Sequence, residues 1–151
     1  MKELRSSMCV GMLAILTCGV ARGEDAEGWA DLISDPTQTR IAIHPLRITR
    51  SAPDQIKMWM RFIEPRPTTK SFNGTTVTYV RHLHMVEVKC NAVYEIRELT
   101  ANYYDTSGAV VQSRNTPNAS FAALSPNSIG EFAAVAGCRV ADGLDVLGGQ
   151  R

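Results

Sequence analysis

The chain has 151 residues, with 16 lysines and arginines against 15 aspartates and glutamates, a net charge of +1 and 44% apolar residues. Nothing in that near balance points to a nucleic-acid partner, which calls for a strongly basic domain. The length suits one compact domain.

Residues 1–23 read as an export signal. Lys2 and Arg5 form the positive n-region, Met8 to Val20 is apolar and uncharged, and Ala21-Arg22-Gly23 supplies the small residues of a cleavage site. The apolar run is shorter than the roughly 20 residues of a membrane-spanning helix. Cleavage there starts the mature chain near Glu24 and turns the net charge negative, since Lys2, Arg5 and Arg22 leave with only Glu3. The rival reading is lipidation of Cys18, with Ile15-Leu16-Thr17 as the apolar lead-in, which would anchor the domain to a membrane. Either way the expected location is the periplasm or the cell surface.

After the leader, Cys90 and Cys138 are the remaining cysteines. In an oxidising compartment two such thiols are expected to pair. A thiol or metal site is the alternative, without C-x-x-C spacing to support it.

Residues 24–38 are polar and acidic, with Trp29, Leu32 and Ile33 spaced for a short helical turn or flap. The first strand is expected over 40–49, with Pro45 marking an edge or a bend. From Gln55 to Ile63 the pattern alternates, with Ile56, Met58, Met60 and Phe62 on one face and Lys57, Trp59 and Arg61 on the other. Pro65, Pro67 and Asn73-Gly74 point to a long exposed loop or wide hairpin.

The stretch 76–90 is rich in Val, Thr and Tyr, but its apolar phase switches between Met85 and Val86. A bulge, or a strand covered on both faces, would produce that. Residues 93–104 are expected to return as the partner strand, with helix as the alternative for 95–102. Asp105-Thr106-Ser107-Gly108 marks a tight turn before a short strand over 109–113. Ser128-Ile129-Gly130-Glu131 is a capping-box signature opening a C-terminal helix. Its docking face is read as Ile129, Phe132, Ala133 and Ala136, with Cys138 near its end. Residues 139–151 are expected to form a flexible tail.

His82 and His84 are two apart on one strand, so both imidazoles share a face and could bind one metal or a small molecule, with His44 a third candidate ligand. Glu87, Glu95 and Glu98 are the candidate carboxylates. No phosphate loop, nucleophile elbow or H-E-x-x-H motif is present, so no catalytic residue and no cofactor is assigned. Arg61, Arg81, Lys89 and Arg97, spread over neighbouring strands, could form a basic binding face. Interleaved with glutamates, they also fit an ordinary solvated surface.

Residues 56–60, 86–90, 103–111 and 124–138, in that order and with both cysteines, resemble the bacterial surface-adhesin protein E family over residues 29–138. The resemblance implies an α+β fold: a mostly antiparallel six-stranded β-sheet with a C-terminal α-helix packed on one face, and a disulfide from Cys90 on a strand to Cys138 on the helix. It also implies a single domain over 24–138 that acts by binding protein. Host matrix proteins such as vitronectin or laminin are the expected partners, with a homodimer as the other candidate.

Overall fold

The structure, a computed structural model, describes residues 27–148. The expected leader, the cleavage site near Gly23 and the lipidation candidate Cys18 lie outside the described residues.

One long hairpin organises the domain. The alternation that begins at Gln55 runs on as strand β4 (Gln55–Phe72), which pairs antiparallel with β5 (Thr75–Lys89). The two meet at Asn73 and Gly74, whose φ angles are 49° and 84°. Positive φ at both central residues is the signature of the type I′ turn that Asn-Gly favours. Of the long loop or wide hairpin expected from Pro65 to Gly74, a hairpin forms, and it is paired up to the tight Asn-Gly turn.

Pro65 and Pro67 instead mark a register shift between Ile63 and Thr68, across which β4 spends more residues than β5. Proline cannot donate to the ladder, so the extra residues bulge out and bend the strand.

The sheet order is β1-β2-β4-β5-β6-β7, with β1 (Ala30–Ile33), β2 (Arg40–Ile43), β6 (Glu95–Tyr104) and β7 (Val110–Asn115) completing the path. Two short strands lie off it: β3 (Thr49–Ala52) on β4, and β8 (Ala122–Ala123) on β6. All pairings are antiparallel. The fold is α+β; among the described residues the sheet has eight strands rather than the expected six, with six of them in the unbroken path.

Two expectations near the N-terminus change. The flap around residues 30–33 is strand β1, and the single strand expected over 40–49 splits at a 3-10 turn, Pro45–Arg47, where Pro45 removes a ladder donor. The helix alternative for residues 95–102 gives way to β6, held between β5 and β7. The phase switch of β5 leaves that strand straight against β4. The bulge falls in its other partner, β6, at Leu99, between the pairs Met85–Thr100 and Val86–Glu98.

Helix α1 (Ile129–Gly148) covers one face of the sheet. Its start is capped as the sequence predicts: the Glu131 N–H donates to Ser128 Oγ at 3.1 Å, and the Glu131 carboxylate accepts from the Asn127 N–H at 2.7 Å. The docking face differs in part from the expected one. Ala133 and Ala136 of the expected face are buried, together with Ala134, Cys138 and Ala141, whereas Ile129 and Phe132 are half exposed. Small side chains let the helix axis approach the sheet: a Cβ on Gly137 would stand 2.5 Å from Met58 Sδ and 3.1 Å from Ile56 Cδ1. Larger side chains are turned outward by the same closeness.

Cys90 and Cys138 form a disulfide with S–S 2.02 Å, tying the end of β5 to the middle of α1. The helix continues well beyond Cys138, and Asp142 pairs with Arg50 of β3 at 2.6 Å. The flexible tail expected from residue 139 is thus helical to Gly148.

Candidate functional site

Directly paired residues share a face, so the register sorts the sheet into two sides. The helix side carries Ile56, Met58, Met60 and Phe62 of β4 opposite Val88, Val86, His84 and His82 of β5. Two apolar clusters occupy it. The larger lies under α1; the smaller, built on Tyr79, Ala101 and Tyr103, forms where the distal hairpin carries Phe72 over β6. Phe62 belongs to the margin of the first cluster and Tyr103 to the second. His82 is stacked between them, 4.6 Å from the Phe62 ring centroid and 5.3 Å from that of Tyr103.

The two histidines are joined to each other. His82 Nδ1 lies 2.7 Å from His84 Nε2, His82 Nε2 lies 3.0 Å from Glu64 Oε1, and His84 Nδ1 lies 2.7 Å from Glu98 Oε2. Glu64 also accepts from the Thr39 hydroxyl at 2.8 Å, and Glu98 from the Arg114 guanidinium. Three hydrogen bonds along the Glu64–His82–His84–Glu98 chain use three protons, one more than two neutral imidazoles carry.

Burial pushes His82 down to about 4, against the opposing pull of its Glu64 hydrogen bond, and the nearby His84 and Lys70 charges act in the same direction as burial. His84, and then Arg114, hold the Glu98 carboxyl well below its ordinary range. Tyr79 and Tyr103, which border the cluster, are both raised by burial.

The expectation that the two histidines share a face is met. The nitrogens that would have to converge on a ligand face each other across a hydrogen bond, and the outward ones face carboxylates. His44 is on the other side of the sheet against Trp29, 5.2 Å between ring centroids. Among the described residues no three His, Cys, Asp or Glu side chains are grouped to hold a metal ion.

Arg61, Arg81, Lys89 and Arg97 all fall on the side away from the helix, as their pairs Arg61–Leu83, Ile63–Arg81, Lys89–Glu95 and Glu87–Arg97 require. They divide into two groups. Lys89 pairs with Glu95 at 2.7 Å and Arg97 with the buried Glu87, and both cations lie over the Phe121 ring, at 4.4 and 4.6 Å. That half is a neutralised lattice. Arg61 is buried, meets Glu27 at 3.5 Å and Asp31 at 3.9 Å, and stacks over Trp29 at 4.7 Å, while Arg81 lies over Tyr104 at 4.5 Å.

Sequence reasoning found both histidines and named Glu98, but missed Glu64, Thr39 and Arg114. Glu64 lies one residue past the strand expected over 55–63 and just before Pro65; β4 runs on through it, and the alternation that puts Phe62 beside His82 puts Glu64 on the same side. Arg114 is brought in by the β6–β7 register, which pairs it with Ala101.

The sheet ends in an open edge. Among the described residues strand β7 pairs only with β6, and four of its six residues are exposed. Its one charged side chain, Arg114, is engaged by Glu98 at 3.0 Å. A free edge charge is a common guard against pairing with another chain, and on β7 that charge is tied down.

Comparison of the chain with family models, with curated proteins and with solved structures finds no match. Among the described residues no helix is long and apolar enough to cross a membrane.

Proposed function

We propose that this chain is an exported bacterial envelope protein of the surface-adhesin protein E kind, without catalytic activity, that binds another protein by strand addition to the edge β7. The observation that supports this reading is the outer edge of Val110–Asn115 at the end of the sheet, which has no strand partner among the described residues and begins with the exposed Val110. Added strands gain main-chain hydrogen bonds along such an edge, with side-chain contacts supplying selectivity. The Cys90–Cys138 disulfide is compatible with the oxidising periplasm or cell surface that the leader implies.

By resemblance the partner is a host matrix protein such as vitronectin or laminin; a second copy of the chain is the other candidate. Surface plasmon resonance of the oxidised protein on immobilised vitronectin and laminin, with sedimentation to detect dimers, tests the proposal. Saturable binding that is lost in Val110→Lys/Gln112→Lys and retained in His82→Gln is the expected result. A folded, oxidised protein that binds neither and stays monomeric refutes it, as does binding indifferent to the edge substitutions.

A further inference from the structure

We infer that the pocket on the helix-free side of the sheet is a binding site for a small oxyanion, a carboxylate or phosphate. The pocket measures about 470 Å³ and is walled by Trp29 and Leu83, with His44, Arg47, Arg61 and Arg81 around it and Glu27 at its side. The chain assembles it from distant segments: Trp29 precedes β1, His44 and Arg47 come from the 3-10 turn after β2, and Arg61, Arg81 and Leu83 project from the central hairpin.

Its electrostatics are unbalanced in one direction. Glu27 and Asp31 are both directed at Arg61. Arg47, which is exposed, and Arg81, which is half-buried, have no carboxylate partner among the described residues. Arg81 Nε is buried without a hydrogen-bond acceptor, and so is Nδ1 of His44, a residue only 6% exposed. Buried polar atoms are ordinarily satisfied, and a guanidinium presents a planar fork that matches carboxylate or phosphate oxygens two at a time. An oxyanion held between Arg47 and Arg81 supplies the missing negative charge, and the Trp29–Leu83 wall accommodates a short apolar body. The neighbouring Lys89–Glu95 and Arg97–Glu87 pairs lack that demand, because each cation already has its carboxylate.

The chain has two tryptophans, Trp29 and Trp59. Replacing Trp59 by Phe leaves Trp29 as a reporter in the pocket wall. The full oxidised protein is titrated with inorganic phosphate and, separately, with succinate, and checked by calorimetry. A saturable change with either probe, weakened about tenfold in Arg47→Gln and further in Arg47→Gln/Arg81→Gln, is expected from the loss of charge-assisted hydrogen bonds. The stronger of the two probes identifies the oxyanion. Arg47 is exposed on a turn, so its single variant keeps the test valid where the double variant fails to fold. No saturable response to either probe overturns the inference, and so does binding that Arg47→Gln leaves unchanged.

Discussion

His82 and His84 are hydrogen-bonded to one another, Nδ1 to Nε2 at 2.7 Å, between two carboxylates that occupy their outer nitrogens. The pair therefore links β5 to Glu64 of β4 and to Glu98 of β6 at the seam between the two apolar clusters.

Acid destabilises this seam in a defined order. His82 titrates at about 4 in the folded chain against an ordinary 6.5, so between those values the unfolded chain binds the proton and the folded chain does not. Stability is fully present above pH 6.5 and falls as the pH drops toward 4. The depressed Glu98 carboxyl adds a second loss, which begins near its ordinary value of 4.5 and continues as the pH falls toward its lower folded value. Urea midpoints from pH 8 to 3 should trace this decline, with a shallower slope from pH 6.5 to 4 in His82→Gln. An identical slope in the variant contradicts the assignment.

Closing a loop of 48 residues by the Cys90–Cys138 bond is worth about 4 kcal/mol in the chain-entropy model. Cys90→Ser/Cys138→Ser should lower the urea midpoint accordingly. Loss of far-UV helical signal ahead of the sheet signal would show α1 leaving first.

Two glycines of α1 should respond oppositely. Gly137→Val drives side-chain carbons into Met58 and Ile56, and overpacking of that kind costs about 1–3 kcal/mol. Gly143→Ala meets nothing within 4 Å and should gain about 0.5–1 kcal/mol from helix propensity. Thermal unfolding of both variants checks the pair; equal destabilisation would mean that α1 does not dock by its small residues.

Tyr79 and Tyr103 border the histidine seam and are raised by burial. In a spectrophotometric titration a part of the phenol absorbance should appear above the ordinary value of 10. Phe62→Ala, which removes the ring stacked on His82, should open the seam and move that part back toward 10.

Local signals were strong where neighbours in sequence are neighbours in space. Alternation from Gln55 to Ile63, the tight turn at Asp105-Thr106-Ser107-Gly108 and the Ser128–Glu131 cap could all be read directly, because each depends on period, turn chemistry or a short hydrogen bond. The distal half of the hairpin was read only in part, because Pro65 and Pro67 signal loop by composition, while the pairing of Thr68–Phe72 with Thr75–Tyr79 carries them as a bulge. Half of the expected docking face of α1, Ala133 and Ala136, is buried; Ile129 and Phe132 are not, because a helix seated this close to the sheet buries small residues in preference to large ones.

By itself, the sequence determined the α+β class, the pair of cysteines available for a disulfide and the shared face of His82 and His84, because composition and a two-residue period suffice for each. Tertiary structure alone decided what those groups meet. Glu64, Glu98 and Arg114 reach the histidines, and Trp29, Arg47 and Arg81 surround one pocket, through strand register. These long-range pairings leave no local periodic trace in the chain.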